Sequence, residues 1–136
     1  MNSGLDDVVA AETVLSDVDG ALGQLVIRGL PLDQLVETAR FEDAVKLVFD
    51  GFFEPRDWAV EIGRARTETY PLLHYTGPEA GLPPTDALRA LLARLPDTSD
   101  ADTAVKLIAG HAVFAAGTLR LRQGLAPLAP DPTLSH

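Results

Sequence analysis

The sequence predicts a mainly helical protein that opens with a short β-hairpin, and three observations predict it. Before Gly29 the apolar runs are short and β-branched, whereas after it they recur with the 3.6-residue period of a helix. The later runs tend to start at proline and stop at glycine or proline, as helices do. The chain has 136 residues, enough for one domain with a core of its own.

The hairpin comes first, within residues 1–30. Residues 8–15 (Val-Val-Ala-Ala-Glu-Thr-Val-Leu) and 24–28 (Gln-Leu-Val-Ile-Arg) read as its two strands. Asp17, Asp19, Gly20 and Gly23 between them tolerate the left-handed conformations that turns need. A hairpin of this size is marginal alone and must pack on something.

Residues 31–70 follow as helices. Pro31 suits a first turn, and Leu32, Leu35 and Val36 form the apolar stripe of a short helix. Phe41, Ala44, Val45 and Val48 repeat at i, i+3, i+4 and i+7, and Gly51 closes that second helix. Pro55 opens a third, with Trp58, Ile62 and Ala65 inward and a stop near Tyr70 and Pro71. Residues 74–84, with Gly77, Pro78, Gly81, Pro83 and Pro84, read as a loop.

A helix pair then occupies residues 85–123. Thr85 is the expected cap of a helix over 85–95, whose Leu88, Leu91, Leu92 and Leu95 share a face before Pro96 ends it. Residues 97–100 (Asp-Thr-Ser-Asp) are a loop and a cap cluster for a long helix over 101–123. Asp102 in its first turn and Arg120 and Arg122 in its last complement the helix dipole, and Gly124 suits the position after it. Pro127, Pro130 and Pro132 make 124–136 an extended tail, which ends as if a further helix were due. The whole, 1–136, reads as a single domain.

Composition excludes several classes of function. Apolar residues make up 46% and charged residues 23%, a globular balance. Eleven Lys and Arg against 20 Asp and Glu leave a net charge of −9, so neither nucleic acid nor an anionic membrane surface is an expected partner. The apolar run 107–119 falls short of the roughly 20 residues a membrane span needs. Asp6 and Asp7 make the N-terminus acidic, without a signal peptide's basic start, and a cytoplasmic protein is expected. The absence of cysteine removes disulfides and thiolate chemistry.

The chemistry-bearing residues form no recognisable constellation. The three histidines, His74, His111 and His136, lack any zinc-binding spacing. His111 reads as a buried histidine satisfied by a helix neighbour, and His74 as a loop residue. Setting Gly20 at the obligatory glycine of a calcium loop puts Leu15 and Val26 at ligand positions, so Asp17 and Asp19 read as turn residues. Gly4, Gly20, Gly23 and Gly29 are too scattered for a phosphate loop, and no Ser, His and Asp set stands out. Arg28, Arg120 and Arg122 could hold an anion, but solvated charges at element ends are the simpler reading. No catalytic, cofactor-binding or metal-binding residue is nominated.

Residues 4–13 (Gly-Leu-Asp-Asp-Val-Val-Ala-Ala-Glu-Thr) resemble the opening of the citrate synthase family, which includes the 2-methylcitrate synthases. The turn 16–20 and the strand 24–29, ending in Arg28 and Gly29, continue the resemblance. So do residues 32–35, 41–51, 86–89 and 112–124, in order. Residues 81–84 (Gly-Leu-Pro-Pro) depart from the family's His-Pro-Met, and Leu30 stands where an aromatic is common.

The resemblance implies the N-terminal part of a large helical domain in an enzyme that condenses an acyl-CoA with oxaloacetate. The family's catalytic histidines and aspartate lie beyond the matching residues, so none is carried onto this chain. A stand-alone interaction or regulatory module on the same scaffold is the alternative. The resemblance also implies a homodimer through helices 85–95 and 101–123. Gly110 and Gly117, seven residues apart and flanked by Ala109, Ala112, Ala115 and Ala116, would let a second helix approach closely, either from the second copy or from within the same subunit.

Overall fold

A computed structural model describes residues 12–75 and 81–136, apart from the side chains of His74 and Tyr75. The described residues are 55% helical, and their strands form one small antiparallel sheet at the N-terminal end, as the sequence predicts. Contacts divide the chain into two compact units that part after Val48.

In the first unit, β1 (Ser16–Asp19) pairs with β2 (Gln24–Ile27), Ser16 facing Ile27 and Asp19 facing Gln24. The Asp19 carboxylate accepts from the amides of Ala21 at 3.0 Å and Leu22 at 2.9 Å, which closes the turn. That closure corrects the expected first strand. Residues 8–11 lie outside the described residues, 12–15 are not strand, and the pairing takes up 16–19, expected as turn. Once Asp19 fixes the turn after itself, the register sets 16–19 against 24–27.

A third strand, β3 (Leu30–Pro31), was not expected. It pairs with β2 across a two-residue turn in which Arg28 has φ 50° and Gly29 φ 84°. Positive φ at both positions is the turn geometry that matches the twist of a hairpin. Arg28 holds this conformation with its Nε donating to the Leu47 carbonyl at 3.3 Å.

Pro31 therefore precedes α1 (Leu32–Thr38) as its cap rather than opening its first turn. Only Leu35 of the expected stripe is buried, and Val36 is 73% exposed. In α2 (Phe41–Phe49) Val45 is buried and Phe41 is exposed, and Gly51 follows the helix at φ 75°.

The second unit carries the larger core. α3 (Trp58–Thr69) is capped by Asp57, whose carboxylate accepts from the Val60 amide at 3.2 Å. Trp58, Ile62 and Ala65 are buried as expected. Trp58 also meets Phe49 edge-on at 5.0 Å between centroids, while Phe53 meets Phe49 at 4.9 Å. At Tyr70 the helix tightens into a 3₁₀ segment, Tyr70–Tyr75, because Pro71 has no N–H for the α-helical ladder. His74 thus lies in helical backbone rather than in the expected loop.

α4 (Pro84–Leu92) starts with Pro84 in its first turn and no side-chain cap, so Thr85 lies inside the helix it was expected to cap. The fixed φ of proline preorganises that first turn instead. α5 (Asp100–Arg122) is capped by Ser99, whose hydroxyl accepts from the Asp102 amide at 3.4 Å. By length and composition alone α5 could cross a membrane, unlike the shorter run read from the sequence. It instead serves as a core helix: Ala109, Val113 and Phe114 are buried along it.

Phe114, Leu91, Leu73 and Val113 form the centre of this core, with Leu88, Leu92 and Leu95 packed around it. Both α5 glycines face this chain's own side chains. A Cβ at Gly110 would lie 3.1 Å from Leu95, and one at Gly117 would lie 2.5 Å from Leu73. The close approach read from the sequence is therefore made within the chain. At Gly63 a Cβ would run into the backbone carbonyl of Pro132. Leu73 can rotate away from a new methyl group but a main-chain carbonyl cannot. Gly63→Ala is expected to lower stability by about 1–3 kcal/mol, and Gly117→Ala by clearly less. Urea unfolding of both variants checks the order.

Candidate functional site

Three prolines keep residues 125–136 out of regular structure, so their carbonyls must find donors elsewhere. The chain is turned into this segment by the end of α5. Gly124, at φ 73°, donates to the Leu121 carbonyl at 3.0 Å, and Leu125 donates to that of Arg120 at 2.9 Å. Arg120 Nε then donates to Ala126 at 2.7 Å and the Tyr70 hydroxyl to Pro127 at 3.1 Å.

Farther along, Arg66 takes over. Its Nη1 donates to the Ser135 carbonyl at 3.2 Å, and its Nη2 to Asp131 at 3.4 Å and to Leu134. Residues 125–136 thus form a strap fastened over α3 and α5.

Arg66 is only 8% exposed, and its Nε has no hydrogen-bond partner among the described residues. Desolvating a guanidinium is costly unless donors find acceptors, and here the acceptors are neutral carbonyls. Asp131 stands nearby, but its Oδ1 accepts from the Thr133 hydroxyl at 2.7 Å and the Thr133 amide at 2.8 Å. These two bonds, the hydroxyl first, hold its carboxyl below the usual aspartate value, and the charge of Arg66 adds a smaller pull.

Between α3, α5 and the strap lies a cleft of about 240 Å³, lined by Arg66, Arg120 and small apolar side chains. A second, wider cleft of about 540 Å³ lies between the loop before α3 and the start of α5. Phe52, Phe53, Asp50 and Glu54 line it beside Arg56. Arg56 pairs with Asp102 at 2.6 Å. The Ser99 hydroxyl first and Arg56 second lower the Asp102 carboxyl.

The residues singled out from the sequence do not converge on one site. His111 is exposed, correcting the buried position expected, although its Nδ1 does pair with a helix neighbour, the Leu107 carbonyl, at 2.8 Å. His136 is also exposed, and the side chain of His74 lies outside the described residues. Arg28, Arg120 and Arg122 each donate to a backbone carbonyl, Arg122 to Leu82 at 2.8 Å, so they fasten chain segments rather than simply standing in solvent. Arg66 was missed. Its signal was a charge on the buried face of α3, four residues after Ile62 and three before Thr69.

Among the described residues, a short antiparallel sheet followed by five helices, the longest of them apolar, defines a mainly α-helical fold. The chain belongs to the citrate synthase family: the family described as "Citrate synthase, C-terminal domain" matches residues 4–136. A citrate synthase of Acidithiobacillus ferridurans is 28% identical over 154 residues, an alignment that takes in 98% of this chain and 40% of that relative's length.

The depressed Asp131 carboxyl gives a signed pH dependence. Its contribution is complete above the unfolded-state value and is lost as pH falls through the lower folded value. Carboxyl-carbon NMR is expected to find Asp131 titrating below an aspartate in the unfolded chain, with Thr133→Ala bringing it back up.

Proposed function

We propose that this chain is the scaffold and subunit-interface portion of a cytoplasmic citrate synthase-type acyltransferase, and that it does not itself carry the acid–base residues of the condensation. The observation that carries the reading is the family match over 4–136 by a chain spanning 40% of its relative's length. The overall reaction joins an acyl-CoA to oxaloacetate and releases CoA. Its enolisation step needs an acid and a base held against the thioester. In the resemblance read from the sequence, the acid–base residues of that step lie beyond the residues this chain matches, which supports assigning them elsewhere. The purified chain is expected to release no CoA from acetyl-CoA and oxaloacetate above background. Turnover by homogeneous material would overturn this reading.

The subunit contact is proposed for helices 85–95 and 101–123. Leu107 and Leu121 are 40% and 38% exposed and lie about 40° apart around α5, an apolar surface that a second copy would cover. Light scattering is expected to give a dimer at micromolar concentration and a monomer for Leu107→Glu combined with Leu121→Glu. A monomeric parent chain would defeat the assignment.

A further inference from the structure

We propose that the cleft between α3, α5 and the strap is a binding site for a small carboxylate with a short apolar body. The charge lining it has one sign. In a chain of net charge −9, the ionisable side chains on its walls among the described residues are Arg66 and Arg120. Arg120 spends Nε on the Ala126 carbonyl, and its two terminal nitrogens have no hydrogen bond or ion pair among the described residues. Arg66 is more than nine-tenths buried, bonds only to neutral carbonyls, and keeps Nε without a partner among the described residues. The carboxylate of Asp131, whose carbonyl also accepts from Arg66, is engaged by Thr133.

The terminal nitrogens of Arg120 match the planar, two-oxygen face of a carboxylate, and the buried charge of Arg66 adds to the positive wall behind it. The other walls set the size and character of the ligand. Ala112, Ala116, Gly117 and Leu128 present small apolar surface, and about 240 Å³ suits a chain of a few carbons rather than a nucleotide. An inorganic anion would leave that surface unused. The proposal does not draw on the acyl-transfer reading, which places α5 in a subunit contact but gives the residues of this cleft no chemical role.

Butyrate is the probe, with butyramide as its uncharged isostere and inorganic phosphate as an anion without an apolar body. Amide NMR of the full chain is expected to show saturable butyrate shifts at Ala116 and Gly117. Butyramide and phosphate should each bind about tenfold more weakly or not at all, the loss of one charge-assisted or apolar contact. Arg120→Gln should weaken butyrate by about tenfold. Ala116→Leu, which fills the cleft from an exposed helix position, should abolish binding while leaving the far-ultraviolet spectrum unchanged. Equal binding of butyrate and butyramide, equal binding of phosphate, or undiminished affinity in folded Ala116→Leu would each overturn the proposal.

Discussion

The buried guanidinium of Arg66 is the constraint on which the C-terminal half of the second unit depends. Its stem lies on the same face of α3 as Ile62 and Thr69, so the helix carries a cation into apolar surroundings. Such a charge stays inside only if polar atoms come to it. Proline-rich residues 125–136 bring the opposite need, carbonyls with no helical or strand partner. Each solves the other's difficulty: carbonyls of Asp131, Leu134 and Ser135 converge on Arg66. The bare Cα of Gly63, one turn earlier, lets the backbone at Pro132 lie directly on the helix.

α5 works as the other fixed member. Its middle has no charge between Lys106 and Arg120, and its composition alone would suit a membrane. Within the chain, packing takes up one side of the helix residue by residue. Leu92 and Leu95 approach Gly110, Leu73 approaches Gly117, and Phe114 is wholly buried between these levels. Glycine lowers helix stability in isolation, so its use here reflects how near the neighbouring side chains must come.

Much of this was legible because local chemistry and tertiary packing agree. The period of 3.6, the prolines at helix starts and Gly51 and Gly124 at helix ends placed all five helices near their observed positions. The sheet was less legible. Its pairing is decided by one carboxylate, Asp19, and by a left-handed Arg28, neither of which a pattern of apolar residues reveals. The cleft was hidden for a different reason. Arg66 and Arg120 are 54 positions apart in the sequence, and their kinship depends on a strap whose prolines show only what it cannot form. Arg120 was noticed as a helix-end charge, but its partner lay inside an otherwise apolar face.

The small sheet also bears on how this chain behaves among copies of itself in the cell. Sheets with open borders recruit strands from neighbouring molecules, and β-proteins guard against such templating. Here one border, β3, is two residues long and ends in Pro31, which has no amide hydrogen to offer an incoming strand. The other, β1, is solvent-exposed along its whole length, but Asp17 and Asp19 place negative charge along it. A molecule already at −9 would add further repulsion to any pairing there. Replacing Pro31 or Asp17 with a β-branched residue would trade away colloidal stability while leaving the helical core of the second unit untouched.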